Sequence, residues 1–266
     1  IPKPYWVSYP DQVRLTGAEP VYLKADDRAG FKISAEALEK MITPKTKALI
    51  LNSPNNPTGA AYTRDELTSI ANVCVKHSVW MISDEIYEHL IYDGFQHVSV
   101  ASLSPAIKEK TITINGVSKC YAMTGWRMGY AAGPLDVIKA MVKLQGQATS
   151  NICSITQAAC VEAFNGPQDA IKTMAAEFVK RRDFFVTALR EIPGISCTKP
   201  VGAFYVFPKI SNLFGKKTPK GNIIQSSDDL SLCLLEDHLV ATVAGSGFGA
   251  DDYLRLSYAT DLASIK

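Results

Sequence analysis

Between residues 48 and 132 the chain alternates compact apolar runs with longer amphipathic stretches, and this alternation restricts its fold more than any other feature. The runs ALIL (48–51), VWMI (79–82), TITI (111–114) and GYAA (129–132) have the length of strands. Short apolar runs bounded by turn residues suit strands that are buried on both faces. Residues 63–76 instead place Leu67, Ile70, Ala71, Val73, Cys74 and Val75 at helical spacing, with Thr63 as N-cap and Asp65 and Glu66 in the first turn. A helix is also expected from Ser34 to just before Pro44, and another over 135–144. Strands alternating with helices predict an α/β fold, a three-layer sandwich around a mostly parallel central sheet.

The pattern changes in the second half. Residues 153–165 and 168–192 read as helices, the second with Ile171, Met174, Phe178, Phe185, Leu189 and Ile192 on one core-facing stripe. Past Gly194 the elements shorten to strands at 203–207, 239–243 and 253–257 and a helix at 228–236, with a polar loop at 211–227. A smaller α+β C-terminal domain over 178–266 is therefore expected beside a large domain over 1–177. The opening 15 residues are aromatic and proline-rich, and 20–23 reads as a short strand. At 266 residues and 47% hydrophobic content the chain is long enough to bury two cores.

Charge and cysteine usage exclude several classes. The 28 basic and 26 acidic residues are scattered, with no stripe that would bind nucleic acid or an anionic membrane. No apolar run approaches the roughly 18 residues of a membrane span, and no charged, apolar leader opens the sequence. Six cysteines without a C-x-x-C pair, and four histidines away from them, suggest reduced thiols, a cytoplasmic setting and no metal site. Cys120 reads as a small buried filler. The chain begins at Ile1 without methionine, and 259–266 looks like the start of a helix, so sequence is expected beyond both ends.

In parallel sheets ligands bind beyond the carboxyl ends of the strands. Three stretches fall there: NSPNNPTG (52–59), SDEIYEHL (83–90) and NGVSKCYAMTGWRMGYAAG (115–133). Lys119, with Arg127 eight residues on, offers an amine and a guanidinium suited to a carbonyl cofactor that carries a phosphate. The Asp84 carboxylate suits a protonated pyridine nitrogen, and the Tyr87 phenol and the Asn56 amide suit a ring hydroxyl.

Together with PYWVSYP (4–10), GAFYVFP (202–208) and YLRLSYAT (253–260), these stretches resemble the fold-type I aminotransferases that use pyridoxal phosphate, specifically the bacterial branch of the aspartate aminotransferase family. The resemblance covers essentially the whole chain. It implies that Lys119 carries the cofactor as a Schiff base and shuttles the substrate's α-proton. It further implies that Asp84 pairs with the pyridine nitrogen, Tyr87 and Asn56 bind the 3-hydroxyl, and Arg127 binds the phosphate. Trp6 would stack on the ring, and Arg255 would hold the substrate α-carboxylate, with Trp6 and Asn56 also facing the substrate. The implied reaction moves an amino group from an L-amino acid, aspartate first, to 2-oxoglutarate in a homodimeric enzyme. Glutamate, prephenate and aromatic amino acids stay open as substrates. So do a β-lyase or synthase reaction on the same fold and a non-catalytic, truncated aminotransferase-like domain.

Two positions depart from the family pattern. Gly116 stands where many relatives have a phosphate-binding serine, which leaves Ser118 as the alternative, and Ala244 stands where proline is common. The relatives' upstream part, with a Gly-rich phosphate-binding turn and a tyrosine donated across the dimer, and their final helix have no counterpart in this sequence.

Overall fold

The computed structural model describes residues 1–266. In chain order the first half contains β1 (Pro2–Lys3), α1 (Ser8–Leu15), β2 (Leu23–Lys24), α2 (Ala35–Met41), β3 (Ala48–Asn52), α3 (Arg64–Lys76), β4 (Trp80–Asp84), α4 (Pro105–Lys108), β5 (Thr111–Gly116) and β6 (Gly129–Ala132). The second half contains α5 (Leu135–Ala148), α6 (Ser154–Asn165), α7 (Asp169–Arg190), β7 (Tyr205–Val206), α8 (Ser227–His238), β8 (Val243–Ala244), β9 (Leu254–Ser257) and α9 (Leu262–Ile265). These elements form two compact units. One comprises Ile33–Pro54 and Ala61–Ala175; the other comprises Ile1–Lys32, Asn55–Ala60 and Ala176–Lys266.

The first of these units is built on a four-stranded sheet in the order β3-β4-β5-β6. β3, β4 and β5 run parallel, with Asn52 opposite Asp84 and Asp84 opposite Ile114, while β6 returns antiparallel to β5. The expected α/β fold with a mostly parallel sheet is thus present, and the register brings the carboxyl ends of β3, β4 and β5 level. α3 starts with a capping box: Glu66 N donates to Thr63 Oγ1 at 3.3 Å and Thr63 N donates to Glu66 Oε2 at 2.7 Å. This satisfies two backbone donors that a helix start leaves open. Leu67, Ile70, Ala71 and Cys74 form its buried face, as the spacing predicts. α5 behaves differently: it has no buried residue, and Leu135, Val142 and Leu144 are exposed.

The second unit carries a parallel pair, β1 with β2, and an antiparallel sheet in the order β7-β9-β8. Its core joins the rings of Phe31, Phe207, Phe248 and Tyr253, with Phe207 stacked on Tyr253 at 5.0 Å between centroids. A neighbouring cluster unites Ile210, Ile224 and Leu230 with Leu254. In α7, Phe178, Val186 and Leu189 are buried, but Ile192 lies past the helix end and is 45% exposed. Arg182 takes the central place on that stripe with no exposed surface. It grips the Asp183 carboxylate through Nε and Nη2, both at 2.8 Å, and donates from Nη1 to Pro200 O at 3.0 Å. A buried guanidinium is tolerable only with this degree of pairing.

Several elements differ from the sequence expectation. The strand expected at 239–243 is reduced to Val243–Ala244, because Leu239 closes α8 in the left-handed region with φ 57°. Those expected at 203–207 and 20–23 shrink to Tyr205–Val206 and Leu23–Lys24. α1 was not expected, since its N-cap Val7 supplies no side-chain hydrogen bond and Pro10 lies near its start, where the missing N–H costs nothing.

Candidate active site

Asp84 is the last residue of β4, and the backbone around it is tied on every side. Its carbonyl accepts from Asn52 Nδ2 at 3.0 Å and from Ser53 N at 3.1 Å, the next amide, Glu85 N, donates to Ile114 O at 2.9 Å, and Ile86 N donates to the Asp84 carboxylate at 3.2 Å. Tyr87 follows with 2% of its surface exposed. Lys119 comes from the loop beyond the neighbouring strand β5 and places Nζ 5.9 Å from the centroid of the Tyr87 ring. The structure therefore brings the Lys119 amine over the Tyr87 ring at the carboxyl ends of two adjacent parallel strands, of which Asp84 closes one, in the part of such a sheet where ligands bind.

Arg127 is exposed, in the left-handed region with φ 55°, and donates from Nη1 to Thr124 O at 3.0 Å. Left-handed backbone at a non-glycine residue is uncommon and clusters at functional positions. Arg127 lines a cleft of about 700 Å³ together with Trp126, Gln145, Thr149, Asn151 and Cys153. Gly116 has no room for a side chain: a Cβ there would stand 2.8 Å from Met128 O and 3.0 Å from Gly129 Cα. A serine at this position would require the β5–β6 backbone to shift. The hydroxyl nearest in sequence belongs to Ser118, whose carbonyl accepts from Thr124 Oγ1 at 3.2 Å.

In the other unit Arg255, on β9, donates from Nη1 to Asn56 Oδ1 at 3.0 Å. Its guanidinium lies 4.7 Å from the Tyr205 ring and 4.9 Å from the Phe248 ring. A cation held between two aromatic faces is oriented rather than solvated. Trp6 is 36% exposed and forms a T-shaped pair with Tyr9, 5.4 Å between centroids, so its indole is not a core filler. Of the predicted residues, Asp84, Tyr87 and Lys119 thus cluster in one unit and Asn56 with Arg255 in the other. Arg127 belongs to the unit of Asp84 and Lys119, and Trp6 to that of Asn56 and Arg255.

Cys120 is buried, and burial pushes its thiol up to about 11, which leaves it protonated and unreactive at neutral pH. What sequence reasoning missed is the buried carboxylate next to Asp84. Glu85 is 2% exposed, and its oxygens accept from Ser83, Ser99 and Val100. Only the acidic residue directly after a strand end hinted at it.

Comparison with known proteins follows the same lines. The chain matches the family described as aminotransferase class I and II over residues 1–266. It is 50% identical to the aspartate aminotransferase of Geobacillus stearothermophilus over its full length, covering 66% of that protein. It is also 50% identical to the probable aspartate/prephenate aminotransferase of Rickettsia bellii, covering 67% of it. Among solved structures, the aspartate aminotransferase from Rhizobium meliloti superposes with a TM-score of 0.95 at 48% identity, over 99% of this chain and 66% of that one. An aromatic aminotransferase from Pyrococcus horikoshii gives 0.91 at 40% identity, over 99% and 69%. The chain belongs to the class I and II aminotransferase family. It spans about two thirds of the length of the relatives it matches.

Proposed function

We propose that this protein is a pyridoxal phosphate-dependent aminotransferase that takes the amino group of an L-amino acid, aspartate first, and passes it to 2-oxoglutarate. The observation that carries this reading is the cluster of Asp84, Tyr87 and Lys119 at the ends of β4 and β5, in a chain of this family. The names of the relatives support aspartate as donor.

The residues present fit the cofactor by donor chemistry. Lys119 supplies the amine that holds an aldehyde, Asp84 a carboxylate for a pyridinium N–H, Tyr87 and Asn56 hydrogen bonds for a ring hydroxyl, and Arg127 a charged fork for a phosphate. Trp6 offers an exposed indole face for a flat heterocycle. When bound, the cofactor's pyridinium ring supplies an electron sink.

The chain's own groups do the rest. Asp84 holds the proton at the ring nitrogen, and the backbone ties around it keep its carboxylate in place. Arg255, already fixed by Asn56 and two aromatic rings, receives the substrate α-carboxylate bidentately. Lys119 Nζ takes the α-proton as general base and returns a proton as general acid. The same proposal places residues 1–177 as the cofactor-binding domain and 178–266 as the small domain, with 1–32 and 55–60 packed into the compact unit of the latter. It includes a homodimer, which the exposed apolar residues of α5 favour, and a cytoplasmic setting, which six free cysteines favour. No helix is long and apolar enough to cross a membrane.

The test is borohydride trapping of pyridoxal phosphate on the full-length protein, together with a donor panel run against 2-oxoglutarate. Lys119→Ala is expected to lose both the trapped cofactor and the visible absorbance band. Unchanged trapping in that variant would remove Lys119 from its role, and keto-acid release without any amino acceptor would point to a lyase instead.

A further inference from the structure

Glu85 plays no part in the roles assigned above, yet it is among the most enclosed charged groups of the molecule, with 2% of its surface exposed. Strand alternation puts Ser83 and Glu85 on one side of the β4 end and Asp84 on the other. On its own side Glu85 collects donors. Its Oε1 accepts from Ser83 Oγ at 2.9 Å, Ser99 Oγ at 3.1 Å and Val100 N at 3.1 Å, and its Oε2 lies 3.4 Å from His97 Nε2.

We propose that Glu85 is a positioning residue for Asp84, an internal anchor that locks the β4 terminus to the 97–100 segment so that the Asp84 carboxylate keeps a fixed aim. The inference rests on the cofactor reading given above. Three ties converge on two successive residues. Asn52 and Ser53 hold the Asp84 carbonyl, Ile114 holds the Glu85 amide, and the Glu85 side chain holds residues 83, 97, 99 and 100. The first two ties fix the backbone in the plane of the sheet. The third adds resistance to rotation about the strand axis, the motion that would swing Asp84 off a ring nitrogen, beside the bond from Ile86 N to the Asp84 carboxylate. A hydrogen bond to a pyridinium depends on direction, so a small rotation weakens it steeply.

Glu85, Glu88 and His97 bring possible metal-ligating atoms within 4.8 Å of one another. The Glu85 oxygens, however, already face two hydroxyls and a backbone amide, each of which presents hydrogen. Glu88 Oε1 likewise accepts from Asn115 Nδ2 at 2.7 Å. Donors aimed into a carboxylate describe an anion held by the protein rather than a cation site.

The experiment loads the full-length protein and its Glu85→Ala, Glu85→Gln, Ser99→Ala and Asp84→Ala variants with pyridoxal phosphate and titrates the visible band of the bound cofactor with pH. Glu85→Ala is expected to move the band's midpoint by about one pH unit, a tenfold change in the proton equilibrium, in the same direction as Asp84→Ala. Glu85→Gln keeps an oxygen for Ser99 and Val100 and is expected to restore most of the wild-type midpoint. Ser99→Ala, which removes one donor and leaves the buried charge, is expected to shift it partway and keeps the test informative where Glu85→Ala does not fold. Glu85→Ala or Ser99→Ala melting at lower temperature with an unmoved midpoint overturns the proposal and leaves Glu85 as ordinary scaffold. A wild-type protein that forms no band overturns the cofactor reading itself, and the positioning role with it.

Discussion

Arg255 and Asn56, 199 residues apart in sequence, are joined by a 3.0 Å hydrogen bond from guanidinium to side-chain carbonyl. The bond fixes one edge of the guanidinium, while Tyr205 and Phe248 confine its plane from two sides. What is left is a planar fork whose direction is set before any ligand arrives, and pre-organisation of this kind reduces the entropy lost on binding.

Arg255→Lys is therefore not a conservative change. The ammonium keeps the charge but cannot serve Asn56 and a carboxylate in one plane. Hydrogen bonds to charged groups contribute about 1.5–3 kcal/mol, so kcat/KM for the amino acid donor is expected to fall by roughly ten- to a hundredfold. Asn56→Ala, which unties the same edge, should raise KM in the same sense. Steady-state kinetics with unchanged KM in both variants would contradict a substrate-binding role for the pair.

The NNPTG stretch closes on a glycine for reasons visible at one atom. Gly59 has φ +68°, and a Cβ there would lie 2.4 Å from Pro200 Cβ and 2.7 Å from Gly202 O. Its carbonyl accepts from both Val201 N and Gly202 N, at 3.1 and 2.9 Å. Gly59→Ala combines left-handed backbone with a backbone clash, and a loss of about 1–3 kcal/mol is expected. Urea unfolding measures it, and a midpoint equal to that of the wild type would show that the 55–60 segment relaxes freely.

The capping box of α3 permits a cleaner stability test because it lies at an exposed helix start. Thr63→Ala removes the acceptor for Glu66 N and with it half of the reciprocal pair. The expected cost is about 1 kcal/mol, read as a lower urea midpoint. Thr63→Ser, which keeps a hydroxyl at the same place, should recover most of it.

The alternation of apolar runs and helical stripes was enough to read the mostly parallel sheet and α3, because both are decided by local patterns of period 2 and 3.6. The positions of Asp84, Tyr87 and Lys119 at or just past strand ends were legible for a related reason: the apolar runs mark where each strand stops, and a parallel sheet exposes its ligand face there. What escaped notice depends on partners far along the chain. Glu85 meets Ser99 and Val100, Arg182 meets Pro200, and the crowding at Gly116 comes from Met128. No local period encodes such contacts. α1 was missed for the opposite reason, since its start lacks a polar cap and holds a proline, so local signals argue against a helix that forms anyway.

The six thiols should separate sharply by position. Burial pushes Cys74 up to about 12 and Cys120 and Cys197 up to about 11, whereas the backbone amides of Thr156 and Ile155 hold the exposed Cys153, at the N-terminus of α6, below its ordinary value. Cys153 is therefore expected to react first with a disulfide reagent near neutral pH, with Cys74, Cys120 and Cys197 silent until the protein unfolds. The buried thiols also make stability depend on pH in a defined sense. Their folded values lie above the unfolded 9.0, so the native state binds more protons. The stabilisation this brings is fully present below about pH 9 and is lost as pH rises through 11 to 12. Cys74→Ala removes one such group, so the drop in urea midpoint between neutral pH and about pH 11 should be smaller in that variant than in the wild type. An equal drop in both would mean that Cys74 titrates alike in the folded and unfolded chain, against its enclosure in the α3 core.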